Sequence, residues 1–90
     1  MAKSLTKKET FSLVEPGAMH VKLVGDFTGW EQDPIELKKQ KDGTWKATVS
    51  LEPGGHEYRY LVDGQWRDDP QCQSRRPNPF GESNCVREVG

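Results

Sequence analysis

Two carboxylates stand side by side at Asp68 and Asp69. Paired acids can cleave a glycosidic bond, but only when they face each other across about 5 Å or more of a cleft, and neighbours on a strand point to opposite faces. A solvated strand end is the better reading of the pair. His20, His56, Cys72 and Cys85 are the other groups able to ligate or attack. Their spacing matches no metal-ligand pattern, so neither a metal nor a cofactor is expected, and His56 reads as the start of a strand after Gly54-Gly55. With no nucleophile–base pair in view, no catalytic residue is assigned and the chain is expected not to be an enzyme. The remaining chemistry lies in aromatic rings. Trp66 follows the turn pair Asp63-Gly64 by two residues and runs directly into Arg67-Asp68-Asp69, a setting that core packing alone does not explain.

The elements that would position these groups follow from length and pattern. A chain of 90 residues fits one domain and is far too short for a catalytic barrel of roughly 250 residues. Nine Gly, six Pro and short Val/Leu/Tyr/Trp runs, with no long apolar segment at helical period, point to an all-β fold of strands and turns. Alternation starts at Thr10–Val14, resumes at His20–Val24 after Glu15-Pro16-Gly17, and continues as a short strand over 35–39. Thr44–Leu51 puts Trp45, Ala47, Val49 and Leu51 on one face, and His56–Val62 puts Tyr58, Tyr60 and Val62 on one face with Glu57, Arg59 and Leu61 on the other. Asp63-Gly64 suits a two-residue type I′ hairpin. Residues 70–83 read as a long loop and Asn84–Val89 as a last strand. Seven short strands match a small sandwich of two antiparallel sheets. The domain is expected over 9–90, with 1–8 a disordered polar tail. Asp26 and Asp63 read as turn formers, and Lys38, Lys39 and Lys41 as a solvated edge.

Charge narrows the partners. Thirteen basic and fourteen acidic residues give a net charge of −1, which does not favour nucleic acid. No run of apolar residues long enough to cross a bilayer occurs and the first ten residues resemble no secretory signal, so a cytoplasmic location without membrane contact is expected. Cys72 and Cys85 are then expected to be free thiols.

The three tryptophans separate by register. Trp45 belongs to the core face of its strand. In a hairpin centred on 63 and 64, Val62 opposes Gln65 and Leu61 opposes Trp66, so Trp66 shares the outer, wet face with Arg59. Trp30 sits in a Gly- and Asp-rich loop, where it either joins Trp66 in an exposed platform or covers a sheet end. Exposed aromatic clusters mark binding surfaces. A flat indole suits a cation, a nucleobase or the C–H face of a sugar ring. Charge balance disfavours the nucleobase, and the guanidinium beside Trp66 disfavours the cation, which leaves a neutral sugar.

The segments VKLVGDFTGW, GTWKATVSLEPGGHEYRYLVDGQWRDDP and NPFGESNCVREV, in this order and spacing, resemble carbohydrate-binding module family 48. This is the early-set, immunoglobulin-like domain of glycogen branching and debranching enzymes and of the AMP-activated protein kinase β subunit, and the copy here looks most like bacterial stand-alone ones. The resemblance covers residues 9–89. It implies an immunoglobulin-like (early-set) sandwich of seven to eight antiparallel strands and a glycogen, starch or other α-1,4-glucan ligand, with Trp30 and Trp66 stacking on glucose rings and Asn84 bonding sugar hydroxyls. Arg59 falls where the family usually has Lys, and the two are not interchangeable. Phe80 falls at an apolar sugar-contacting position, with a rival reading as a plug for the end of the sandwich. Thr28-Gly29-Trp30 replaces a more usual Asn-Asn-Trp, so no hydrogen-bonding role carries over to Thr28. Two readings follow: binding of an α-glucan without catalysis, or a protein-interaction module of the same fold that docks on a glucan-active branching or debranching enzyme.

Overall fold

The structure, a computed structural model, describes residues 6–78 and 81–90. It is an all-β sandwich of two antiparallel sheets. The first carries β1 (Lys7–Val14), β5 (Thr44–Leu51) and β4 (Lys38–Lys39) in the order β1-β5-β4. The second runs β3 (Ile35–Glu36), β2 (Val21–Gly25), β6 (Gly54–Val62), β9 (Ser83–Val89), β8 (Ser74–Pro77). A short strand, β7 (Gln65–Arg67), adds to β6.

Alternation builds the core. On β1 and β5, Phe11 pairs with Ala47 and Leu13 with Trp45, and these side chains turn inward while Thr10 and Thr48 meet outside through their hydroxyls at 3.3 Å. From the larger sheet, Tyr58, Tyr60 and Val62 are buried as the period of two requires. The Phe11 and Tyr58 rings meet edge to face across the sandwich, centroids 4.9 Å apart. Arg87 closes one flank. Its guanidinium pairs with Glu9 at 2.9 Å and lies 4.2 Å from the Phe11 ring, tying β9 to β1.

Three departures from the sequence reading have physical reasons. The segment 35–39 is two strands in different sheets: β3 pairs with β2 and β4 with β5, and buried Leu37 between them marks the crossing. The segment 70–83 is not all loop, because Ser74–Pro77 pairs with Ser83–Val86 as an edge strand. All four of its residues are exposed, so no apolar alternation announces it. Finally, β1 begins at Lys7, three residues before the alternation, and Lys7 and Lys8 pair with Leu51 and Ser50 rather than forming tail.

The strand that positions the candidate site is β6. It pairs with β2 along one edge from Tyr58 to Val62, and with β9 and then β7 along the other. Its outward residues, Glu57, Arg59 and Leu61, therefore stand at the centre of the outer face of the larger sheet.

Candidate functional site

The hairpin turn has the conformation its residues favour: Asp63 and Gly64 have φ of 48° and 82°, the double positive φ of a type I′ turn. Asp63 does more than turn the chain. Its Oδ1 accepts the backbone N–H groups of Met19 and His20 at 2.9 and 2.8 Å, fixing the hairpin against the entry to β2. The register that results opposes Leu61 to Trp66 and Val62 to Gln65, as the turn predicts. Trp66 is 40% exposed on the outer face, and the guanidinium carbon of Arg59 lies 5.5 Å from its ring centroid.

Trp30 arrives from the other side, on the connection between β2 and β3. Gly25 must be glycine here: a Cβ would meet the Glu57 carbonyl oxygen at 2.5 Å and the Phe27 ring at 2.8 Å. Two single turns of 3-10 helix follow, Asp26–Thr28 and Trp30–Gln32. Between them Gly29 and Trp30 both have positive φ, 66° and 60°. The conformation is costly for a tryptophan, and Thr28 stabilises it. Its buried hydroxyl accepts the Gly25 N–H at 3.0 Å and shares its own proton between the carbonyl oxygens of Gly25 at 2.9 Å and Trp30 at 2.8 Å. The half-buried Trp30 side chain is thereby turned outward beside β6 rather than into the core.

Trp30, Arg59, Trp66 and Asn84 line one open concavity of about 710 Å³. Four of the five residues expected at a binding surface are thus brought together; Phe80 lies outside the described residues. Sequence reasoning missed the rest of the lining: Asp26, Glu31, Glu57, Glu82, Pro77 and Asn78. These come from separate segments, and the pairing of β2, β6, β9 and β8 gathers them.

A polar network crosses this floor beside Trp66. Arg59 forks, donating through Nε to Asp68 at 3.1 Å and through Nη1 to Glu82 at 2.7 Å. Asp68 also holds Arg75 at 3.1 Å. Asn84, 6% exposed, donates from Nδ2 to Glu57 at 3.1 Å and accepts from Asn78 at 3.1 Å, which leaves one amide N–H of Asn84 beyond these bonds. Glu57 takes Arg76 at 3.2 Å and gives its backbone N–H to Asp26 at 3.1 Å. Asp68 and Asp69 follow β7, and only Asp68 is the solvated acid expected of the pair. Asp69 is buried and accepts the Tyr58 hydroxyl proton at 2.6 Å, so the two acids do not face one cleft. His20 and His56 do not gather with the cysteines at the site: His56 pairs with Asp26 at 3.6 Å, while Cys72 and Cys85 are free thiols, sulfur atoms 2.7 Å apart.

Fold and concavity together define a β-sandwich module with an open surface site of aromatic and polar side chains. The chain belongs to the family described as the glycogen recognition site of AMP-activated protein kinase, which matches residues 10–90. It is 37% identical over 70 residues to Protein PTST homolog 2, chloroplastic, of Arabidopsis thaliana, covering 77% of this chain and 13% of that protein. It is 36% identical over 83 residues to the 1,4-alpha-glucan branching enzyme GlgB of Lactobacillus acidophilus, covering 87% of this chain and 13% of the enzyme. It is 37% identical over 54 residues to the 5'-AMP-activated protein kinase subunit beta-1 of Sus scrofa, covering 60% of this chain and 42% of the subunit. The chain thus spans a small part of the first two relatives.

Proposed function

We propose that this chain binds α-1,4-glucan without catalysis, Trp66 and Trp30 stacking on glucose rings while Arg59 and Asn84 bond hydroxyls. The observation that carries the reading is Trp66, held out from the sheet against Arg59 and sharing one concavity with Trp30. Membership of a glycogen-recognition family supports the ligand class. If each ring removes roughly 80 Å² of apolar surface from water, two stacks contribute about 4 kcal/mol at about 25 cal/mol per Å². Hydrogen bonds add roughly 1 kcal/mol each. Set against an association cost of at least about 4 kcal/mol, two stacks and about four hydrogen bonds leave a Kd of about 1 mM. Affinity in that range suits a polymer, where repeated units raise the effective concentration.

Docking on a glucan-active enzyme is the second reading. It is favoured by the match to a small part of a relative named as a branching enzyme. There Trp30 and Trp66 would anchor a protein interface, as aromatics do. Intrinsic tryptophan fluorescence titrated with maltoheptaose separates the two. The glucan reading expects a saturable shift and retardation in a glycogen-containing gel, both lost in Trp66→Ala. No shift and no retardation would leave only docking.

A further inference from the structure

We infer that the concavity selects uncharged glucan and discriminates against glucose units carrying phosphate. This rests on the glucan-binding reading and adds a specificity to it.

The reason is the charge of the site and the way its cations are used. Five carboxylates stand in or beside the concavity: Asp26 and Glu31 from the β2–β3 connection, Glu57 on β6, Asp68 after β7 and Glu82 before β9. Three guanidinium groups face them, Arg59, Arg75 and Arg76. Five against three leaves a local excess of two negative charges with His56 neutral.

Every one of the three cations is already committed. Arg59 spans Asp68 and Glu82, Arg75 holds Asp68 and Arg76 holds Glu57. A phosphate site needs converging donors, a guanidinium fork or free backbone amides. Here the Glu57 amide is given to the Asp26 carboxylate, and Asn84 gives one of its two amide protons to Glu57, which leaves a single neutral donor rather than a converging set. Glu31, next to the Trp30 ring in sequence, is exposed and has no ion-pair partner among the described residues. A neutral glucose hydroxyl meets acceptors it can donate to. A phosphate dianion on the same unit meets an excess of carboxylates, and each guanidinium that could turn to it already has its charge set against a carboxylate.

The test uses the whole chain and a ligand short enough that a phosphorylated unit cannot hang clear of the rings. Maltotetraose and maltotetraose carrying one 6-phosphate on an internal glucose are titrated by tryptophan fluorescence at about 20 mM and about 500 mM salt. The phosphorylated sugar is expected to bind roughly three- to tenfold more weakly at low salt, with the gap closing at high salt. Glu31→Gln and Glu82→Gln are expected to narrow the affinity ratio of the two sugars, a readout independent of any change in absolute affinity. Equal or tighter binding of the phosphorylated sugar at low salt overturns the inference, as does a ratio that neither substitution moves. Binding of neither sugar overturns the glucan reading itself.

Discussion

The guanidinium carbon of Arg59 lies 5.5 Å from the centroid of Trp66, while its nitrogens bind Asp68 and Glu82. One planar side chain thus holds an indole, a strand end and the loop before β9 in fixed relation. Lysine supplies a point charge in place of a fork and cannot meet two carboxylates and a ring face at once. Arg59→Lys is therefore expected to fold normally and to lose a few-fold in affinity for maltoheptaose, and Arg59→Ala on the order of tenfold. Calorimetric titration beside far-UV circular dichroism reads both effects. Unchanged affinity in Arg59→Ala would show that the guanidinium neither positions Trp66 nor touches sugar.

Trp66 and Trp45 are expected to separate function from stability. Trp45 is 7% exposed, and its indole N–H donates to the Glu15 carbonyl at 2.9 Å. Its truncation to Ala should cost about 3–5 kcal/mol, the range for a buried large aromatic. Trp66→Ala removes a ring already 40% exposed and should leave the urea midpoint close to that of the parent chain while glycogen-gel retardation disappears. A large fall in the midpoint of Trp66→Ala would assign that ring to the core.

The contrast between these rings is legible in the sequence, because period-two alternation on β5 and the Asp63-Gly64 turn determine which face each residue takes. The turn also gave the Leu61–Trp66 register. Where alternation is absent, legibility ended. Strand β8, with sequence SRRP, is exposed throughout and is held by its backbone ladder and two arginine ion pairs, neither of which leaves an apolar pattern. The carboxylates of the site come from four segments far apart in the chain, and no local pattern relates them. Asp26 and Asp63 read correctly as residues of turns, but each also accepts a long-range backbone N–H, from Glu57 and from Met19 and His20. Composition cannot show such a bond.

Thr28 offers a sharper test of the loop that presents Trp30. Thr28→Val keeps the shape and removes the hydroxyl, leaving the Gly25 N–H without its acceptor and the Trp30 carbonyl without its donor. The buried unpaired groups should cost about 1–3 kcal/mol, and the left-handed Trp30 loses its restraint. Affinity for maltoheptaose should fall, while Thr28→Ser, which retains the oxygen, should recover most of it. A Ser variant as weak as Val would place the effect in packing of the methyl group instead.

Alkaline pH should find the core before it finds the surface. Burial pushes the Cys85 thiol up to about 12, with the hydrogen bond to Cys72 acting in the same direction. Burial likewise holds the Tyr58 and Tyr60 hydroxyls above the usual phenol range, Tyr58 further through its bond to Asp69 and Tyr60 through the Asp69 charge. In the unfolded chain a thiol ionises near about 8.5 and a phenol near about 10. All three groups have folded values raised above unfolded ones, so the Cys85 contribution to stability is complete below about pH 8.5 and is lost as the pH climbs toward about 12, while that of the tyrosines is complete up to about pH 10 and is lost above it. Each group that ionises only on unfolding removes about 1.4 kcal/mol per pH unit. The urea midpoint should therefore stay level up to about pH 8.5 and fall progressively above it, and Cys85→Ala should delay the onset to about pH 10, where only the tyrosines act. A midpoint that does not move up to about pH 11 would mean that these groups ionise as readily in the folded protein as in the unfolded chain.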